Sequence, residues 1–441
     1  MNTMLRIKPE TFKNYIGNNF EFSVTGKIVI YLIVSWLPVV FLDLLGLHSR
    51  FNNFLTTLND TYFVLMLIIM LNFLRSVSRK AIAYSGNKYT AESITKIGKA
   101  VNKIVFDCGL LSTIGIMVLT YDRIWVKGID YSVGARAARY QWFSIAKVMD
   151  TTIYGAIGNL LIPFSYVSLF FCILYFESLK KKQRVMGVLA GIGVPFLHAF
   201  LNGGRMNILV CFMFIVSVCM LRLFSGKRFL PKVNKFEIVV VVVGLLFYII
   251  EIFTQSRLFG TLSIREFTIL QVAGLNGEFS HYYDSTFLNL LIQILSYMYH
   301  GKWTTGMIMT IPSTETYGFY SCVPINGVLF SLGFDLRHNL DLLGGTFMNL
   351  PGTIYYDFGL IGVLFMPIML SFIIHNAVAK YKKQTVSYST LILLHVCMML
   401  IISSPVAPVL NLGYVNFILV AFFISGIFLR YVLGVKRWII F

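Results

Sequence analysis

Long apolar segments separated by short polar connections dominate the chain. A transmembrane helix needs about 20 mostly apolar residues, and ten segments reach or approach that length. The pattern therefore predicts an all-α polytopic membrane protein with spans at 27–47, 56–74, 104–124, 156–176, 185–201, 206–223, 237–256, 352–377, 388–405 and 413–433. Residues 1–26 contain no apolar stretch long enough for a secretory signal, so we expect the first apolar segment to remain as an anchor.

The basic residues are divided unequally between the two sides of the predicted membrane. If the N-terminus is cytoplasmic, the inner segments hold 26 of the 37 Lys and Arg residues and the outer segments hold 11. Cytoplasmic loops of membrane proteins carry this excess, so both termini are predicted to be inside. Charged residues make up only 13% of the chain, against about a quarter in soluble domains. A polar, basic surface for nucleic acid is therefore excluded.

The spans divide the chain into three parts. Residues 1–256 hold seven spans and an outer loop at 125–155, residues 257–351 form a large outer loop, and residues 352–441 hold three spans. Apolar positions with i, i+3, i+4 spacing predict a helix at the outer interface; they are Phe287, Leu290, Leu291, Ile294, Leu295 and Met298. The alternative is a hairpin of two short spans, which would raise the number of membrane spans to twelve.

Arginine is enriched on the predicted outer side. It supplies 8 of the 11 outer cations but only 8 of the 26 inner ones. Its planar fork binds phosphate or carboxylate with two hydrogen bonds, so an outer anion site is predicted. Arg136 and Arg139 would share one face of a helix because they are three residues apart. The alternative for this pair is a solvated helix at the head groups.

A very short outer connection joins the fifth and sixth spans. It consists of Asn202-Gly203-Gly204-Arg205. Paired glycines let a ligand approach the backbone, and the amides that begin the next helix would point toward the same anion as Arg205. The alternative is a plain turn whose arginine extends to the interface. His198, one turn earlier, is interpreted as a packing residue.

The large outer loop contains most of the remaining candidate chemistry. Its charged and titratable residues include Arg257, Arg265, Glu278, His281, Asp284, Asp335, Arg337 and His338. Residues 335–339 bring an acid, a cation and an imidazole together in five positions. The chain has no Walker A, G-x-G-x-x-G, H-E-x-x-H or D-x-D motif, so no nucleotide, metal or other cofactor is expected. The six scattered cysteines predict neither disulfides nor zinc.

Two stretches resemble a known family. Residues 202–209 resemble the small-Arg segment of the O-antigen polymerases and ligases. The run Arg337-His338-Asn339, followed by Gly352-Thr353-Ile354-Tyr355, resembles the ligase-type His-Asn pattern before a membrane helix, with a longer spacing here. With the large outer loop, the whole chain resembles the bacterial repeat-unit polymerases of the O-antigen or capsule pathway.

The resemblance implies a GT-C-like glycosyltransferase of the bacterial inner membrane with its active site facing the periplasm. It would transfer a growing glycan from undecaprenyl pyrophosphate to a lipid-linked repeat unit, among membrane lipids and with a chain-length regulator protein as a further partner. His338 would be the general base, because the unperturbed pKa of a histidine side chain, near 6.5, suits proton transfer. The candidates for binding pyrophosphate or substrate are Arg136, Arg139, Arg205, Arg257, Arg337, Asn339 and Tyr355, and weaker candidates are Arg265, Glu278, His281 and Asp335.

Two other functions stay open. A lipid-linked glycan ligase would use the same arginines and histidine but a different acceptor. A polysaccharide flippase or exporter belongs to another class, and it is disfavoured because no cation lies at the middle of a predicted span.

Overall fold

The structure is a computed structural model, and the residues that it describes are almost entirely helical. They are residues 20–44, 54–77, 91–132, 135–146, 152–202, 206–225, 227–231, 301–302, 304–310, 348–381, 385–408, 413–435 and 438–439, with single residues 239, 243, 318 and 320.

Twelve α-helices follow one another in the described part of the chain. They are α1 (Phe20–Leu44), α2 (Phe54–Val77), α3 (Ala91–Tyr121), α4 (Ala135–Ala146), α5 (Ile153–Leu161), α6 (Phe164–Leu174), α7 (Lys181–Val188), α8 (Val194–Leu201), α9 (Met206–Phe224), α10 (Leu350–Tyr381), α11 (Tyr388–Ser403) and α12 (Gly413–Ile427). Wider π-helical turns extend α3 (Asp122–Val126) and α12 (Phe428–Val432) and join α7 to α8 (Leu189–Gly193). A 3-10 turn occupies Phe176–Ser178, and two short strands are β1 (Thr385–Val386) and β2 (Trp438–Ile439).

The described residues contain eight helical stretches long and apolar enough to cross a membrane. They are Val24–Phe41, Phe54–Ser76, Thr95–Val126, Ile153–Leu174, Lys181–Leu201, Asn207–Phe224, Leu350–Lys380 and Tyr414–Val432. This confirms a multi-pass membrane protein and matches eight of the ten predicted spans. The predicted span at 388–405 is a shorter apolar helix, α11, and the one at 237–256 lies almost entirely outside the described residues.

The chain forms two compact units. Unit 1 comprises Met1–Lys88, Tyr297–Ser321 and Leu329–Pro408, and unit 2 comprises Tyr89–Ser296, Cys322–Val328 and Val409–Phe441. In unit 1, α2 packs along α10, while α1 contacts α2, α10 and α11. Trp36 Nε1 donates to Ser404 Oγ at 2.8 Å and so links α1 to the residues after α11.

Helix α10 is broken at Gly359, whose φ of 62° and ψ of −157° are non-helical. Positive φ costs little in glycine because it has no Cβ. Before the break, residues 350–358 are buried or half-buried. After it, Leu360 and Ile361 are each 70% exposed and Phe365 is 63% exposed. The apolar face that would contact lipid therefore begins only beyond the break.

Unit 2 is built around α6. All eleven residues of α6 are buried, and it contacts α3, α7, α9 and α12. Two glycines bring α3 close to α5: a Cβ on Gly115 would lie 2.7 Å from Leu161 Cβ, and a Cβ on Gly158 would lie 2.8 Å from Leu119 Cβ. The chain passes from α5 into α6 through Pro163, so the two together make one membrane-length stretch.

Candidate functional site

Helix α3 ends in three charged residues that are buried. Asp122, Arg123 and Lys127 are 0%, 3% and 7% exposed. They belong to the π-helical turn and its C-cap, in which Lys127 N donates to Asp122 O at 2.9 Å. Such turns interrupt α-helices frequently at functional sites. The wider turn here brings Lys127 back to Asp122, with Lys127 Nζ 3.9 Å from Asp122 Oδ2.

Asp122 is held by the start of α5. Thr152 caps that helix by accepting a hydrogen bond from Gly155 N at 3.0 Å, and its hydroxyl donates to Asp122 Oδ1. A Cβ on Gly155 would come within 3.1 Å of Asp122 Oδ2. The carboxylate is therefore fixed between α3 and α5, close to the end of both.

Arg123 has hydrogen-bond donors that are not used within the described residues. Its Nη2 donates to Asn202 Oδ1 at 3.3 Å, and its Cζ lies 3.2 Å from the centroid of the Trp142 ring. Lys127 Nζ is 4.1 Å from the same centroid. In the described part of the chain, Nε and Nη1 of Arg123 are buried and have no hydrogen-bond partner. A buried guanidinium in this state requires an acceptor, because leaving its donors unsatisfied costs free energy.

The described side chains of this site carry an excess of positive charge. Arg123 and Lys127 face one carboxylate, that of Asp122. Burial lowers the pKa of Lys127, with Asp122 opposing and Arg123 adding to the change. Burial also raises the pKa of Tyr131 to about 12, and its hydroxyl donates to Leu201 O at 2.7 Å, so this phenol supplies no negative charge. An anion would restore neutrality.

Two asparagines surround a buried histidine beside Arg123. His198 is 3% exposed, its Nε2 is 2.7 Å from Asn202 Nδ2, and its Nδ1 is 3.2 Å from the side-chain amide of Asn207. Its ring centroid lies 4.7 Å from that of Tyr414. This agrees with the sequence interpretation of His198 as a packed residue. We define the Arg123 cluster as Asp122, Arg123, Lys127, Trp142, Thr152, His198, Asn202 and Asn207.

Exposed aromatic rings lie at the end of α3 and at the start of α5. Tyr121, Trp125 and Tyr154 are 46%, 68% and 44% exposed. Tyr121 stacks on Trp125, with centroids 5.8 Å apart, and meets Tyr154 edge-on at 5.4 Å. Tyr and Trp are enriched at membrane–water interfaces. The exposed rings beside the Arg123 cluster are therefore of the kind that favours a membrane–water interface.

The other end of unit 2 contains a buried arginine whose contacts contrast with those of Arg123. Arg222, at the end of α9, is fully buried and pairs with Glu177 through Nη1 and Nη2. Its Nη1 also donates to Ile173 O at 2.6 Å, and its Nε donates to Arg228 O at 3.2 Å. Lys227 Nζ donates to Leu174 O at 3.0 Å. These cations satisfy carbonyls at the end of α6, so this arrangement is structural.

The structure describes three of the residues predicted from sequence, and it describes the helices on both sides of a fourth. Residues 135–146 are helical, so Arg136 and Arg139 do lie three positions apart on one helix. Arg139 is exposed, and Arg136 is described only in its backbone. Arg205 lies outside the described residues, but α8 ends at Leu201 and α9 begins at Met206, so the predicted short connection exists. Tyr355 is half-buried in α10, in unit 1.

The other predicted site residues lie outside the described residues. They are Arg257, Arg265, Glu278, His281, Asp335, Arg337, His338 and Asn339. The same holds for the helix predicted over residues 287–298. Within the predicted outer loop, residues 301–302 and 304–309 are helical.

The Gly352 position of the family-like motif has a packing role. Asn349 caps α10, with its Oδ1 accepting from Gly352 N at 2.8 Å and from Thr305 Oγ1 at 2.9 Å. Its Nδ2 donates to Asp60 Oδ2 at 2.8 Å. The start of α10 is thus tied to α2 and to residues 304–309, and Gly352 faces Thr305 directly.

Sequence reasoning counted Arg123 as an outer cation but did not select it as a site residue. The signal was present: an adjacent Asp122-Arg123 pair at the end of an apolar segment, with Lys127 four residues after Arg123. Trp142 could not be identified as its partner from sequence, because the two residues are 19 positions apart and meet only in the fold, where the Arg123 guanidinium lies over the Trp142 ring.

Comparison of the chain with protein-family models, with curated proteins and with solved structures gives no match.

Proposed function

We propose that this protein is a glycosyltransferase that polymerises lipid-linked glycan repeat units, moving the growing glycan from undecaprenyl pyrophosphate to another lipid-linked unit. The observation that carries the proposal is the buried Arg123, with two donor nitrogens that have no partner among the described residues. The site has an excess of positive charge, and the exposed aromatic rings beside it favour a position at head-group depth, where the phosphates of a lipid-linked substrate would lie.

The chemistry of glycan transfer favours this arrangement. As the glycosidic bond breaks, negative charge develops on the pyrophosphate leaving group. Donors that are already oriented stabilise that charge more in the transition state than in the ground state. Trp142 holds the face of the Arg123 guanidinium, and Asn202 holds one edge. The Nε and Nη1 of Arg123 have no acceptor among the described residues, and we propose that phosphate oxygens supply one.

Helix α4, which contacts Arg123 through Trp142, carries further cations. Arg139 precedes Trp142 by three residues, so the two lie on neighbouring positions of one helix face. Arg139 is exposed, which suits a residue that meets a substrate from the aqueous side. We assign Arg136, Arg139 and Arg205 supporting roles in pyrophosphate binding, and His338 the role of general base for the acceptor hydroxyl.

The test is deletion and complementation in the source cell, with lipid-linked glycans separated by size and weighed by mass spectrometry. We expect the deletion strain to accumulate single repeat units and the wild-type gene to restore a ladder. Arg123→Ala should insert normally and give single units. The matched control is Arg430→Ala, because Arg430 also ends a membrane helix beside an aromatic ring, with its Cζ 5.4 Å from the Tyr431 centroid.

The same experiment separates the alternatives. A ligase would leave full-length polymer on the lipid carrier when the gene is deleted, with none on the final acceptor. A transporter would leave glycan synthesis intact but on the wrong side of the membrane. An unchanged ladder in the deletion strain would refute the proposed polymerase.

A further inference from the structure

We propose that His198 is a positioning residue that fixes the Arg123 guanidinium through Asn202. The inference rests on the proposed function, since it concerns how the same anion site is held in shape. It assigns no contact between His198 and the substrate.

The direction of the Asn202 amide follows from Arg123. A guanidinium donates hydrogen bonds and accepts none, so the atom of Asn202 that faces Arg123 Nη2 at 3.3 Å has to be the oxygen, Oδ1. The amide nitrogen, Nδ2, then points the other way, toward His198 Nε2 at 2.7 Å. Because Nδ2 carries only hydrogens to donate, Nε2 has to accept.

This fixes the tautomer of His198. An imidazole nitrogen that accepts carries no proton, so the ring is neutral with its hydrogen on Nδ1. Nδ1 faces the Asn207 side chain at 3.2 Å, and this contact is satisfied when the Asn207 amide oxygen is turned toward it. The ring is also packed against Tyr414, with a centroid distance of 4.7 Å. Both ring nitrogens and one ring face are therefore constrained.

Asn202 needs such a constraint because of its place in the chain. It is the C-cap of α8, where its backbone N donates to His198 O at 3.1 Å, and two glycines follow it in the sequence. Without the Nε2 acceptor, only the 3.3 Å contact with Arg123 would be left, among the described side-chain contacts, to orient the amide. A flipped amide would present its NH₂ group to the guanidinium, and the contact with Arg123 would be lost.

The consequence concerns the two unused donors of Arg123. Stacking on Trp142 fixes the plane of the guanidinium, and the bond to Asn202 fixes its rotation within that plane. Nε and Nη1 then point in set directions before an anion arrives. Such preorganisation strengthens binding, because less ordering remains to be done when the ligand binds.

The test is the affinity of purified, full-length protein in lipid nanodiscs for a labelled polyprenyl pyrophosphate. His198→Gln places an amide oxygen near the position of Nε2 and should stay within about twofold of wild type. His198→Asn is too short to reach Asn202 but can still contact Asn207. It should weaken binding by roughly 3- to 10-fold, the effect of one net hydrogen bond.

Non-additivity distinguishes positioning from general damage. If His198 acts through Arg123, then His198→Asn should cost no further affinity when Arg123 is already alanine. Asn202→Ala should give the same loss and the same non-additivity, which provides a second variant should His198→Asn fold poorly. The matched control is His395→Asn, because His395 is also a buried histidine, 1% exposed, but lies in α11 of unit 1.

Three outcomes would overturn the inference: wild-type affinity in His198→Asn and Asn202→Ala, an additive loss in the Arg123→Ala background, or no loss in Arg123→Ala itself. Failure of the proposed function has a different signature. In that case the purified protein would bind the pyrophosphate lipid with the expected variant pattern, but the glycans of the cell would not depend on the gene. This combination would refute the polymerase and keep the positioning role.

Discussion

Gly352 and Thr305 pack so closely that only a hydrogen fits between them. A Cβ on Gly352 would overlap Thr305 Oγ1 and lie 2.6 Å from its Cγ2. Thr305 cannot withdraw easily, since its hydroxyl bonds Gly301 O and Asn349 Oδ1. The glycine of the family-like motif is therefore explained by helix packing in unit 1, without a ligand.

Gly352→Ala should lower the stability of unit 1. Overpacking a buried site costs typically 1–3 kcal/mol, so thermal unfolding in detergent should begin at a lower temperature. Gly98→Ala is the matched control, because no atom outside its own helix backbone and chain neighbours lies within 4 Å of the added methyl group, and alanine favours a helix over glycine by up to about 1 kcal/mol. Equal melting temperatures for the two variants would contradict the packing role.

Arg123→Ala should weaken binding of a polyprenyl pyrophosphate by roughly 10- to 150-fold, the range for losing a charge-assisted contact worth about 1.5–3 kcal/mol. Arg123→Lys should recover only part of this, because an ammonium cannot offer donors in several fixed directions or stack flat on Trp142. Equilibrium binding at two salt concentrations measures the effect. Full recovery by lysine would show that only charge matters at this position.

Arg222→Ala should lower the stability of the fold and leave pyrophosphate affinity unchanged, in contrast to Arg123→Ala. It leaves Ile173 O and Glu177 without their charged partner, and each such bond is worth about 1.5–3 kcal/mol. The share of Glu177 is smaller, because its side chain is 46% exposed and screened by solvent. We expect less folded protein, while the molecules that do fold bind pyrophosphate normally. Reduced affinity in the folded fraction would assign Arg222 a part in the site.

Topology gives a prediction that is independent of the site. Reporter fusions near Lys182 and near Gly318 should report opposite sides of the membrane, because the inner segments are predicted to hold 26 of 37 basic residues. Lys182 lies in the first turn of α7, shortly after Glu177, the partner of Arg222. The same side for both fusions would reverse the predicted location of the large loop.

His338 remains the predicted general base. Loss of a general base typically slows a reaction by 10²- to 10⁴-fold, so His338→Ala should insert and bind lipid-linked units but make no ladder. Single-turnover rates with bound donor would measure this without interference from binding. Near-normal turnover would move the role to His281, Glu278 or Asp335.

The sequence predicted the membrane spans well because hydropathy is a local property. Eight predicted spans correspond to long apolar helices, and α11 falls short because the helix ends at Ser403, two residues before Pro405. The break at Gly359 was not predicted, since the mean hydropathy of Leu350–Lys380 is high, at 2.2. One residue with a positive φ inside such a stretch does not change the pattern of apolar positions.

The sequence predicted the chemical type of the candidate site, but it did not identify the central residue. An arginine-rich anion site was expected from the unequal use of Arg and Lys, and Arg123 was among the arginines counted. Its selection required three-dimensional information: Asn202 lies 79 positions away in sequence, and the π-helical turn that lets Lys127 approach Asp122 follows from packing. Charge identifies which residues can bind an anion, whereas burial and partner geometry decide which of them lacks an acceptor.

The break in α10 divides the helix into a part that faces lipid and a buried part that is attached to α2. A single straight helix would have to serve both purposes. At 1.5 Å per residue, the 31 residues of Leu350–Lys380 would extend about 46 Å if straight, well beyond a hydrocarbon core of roughly 30 Å. The part after Gly359 is about as long as the core, and it carries the exposed apolar face. Residues 360–380 are thus the part of the helix that matches the hydrocarbon thickness of the bilayer. The buried part before the break can keep its polar cap to Asp60 whatever the thickness of the surrounding lipid.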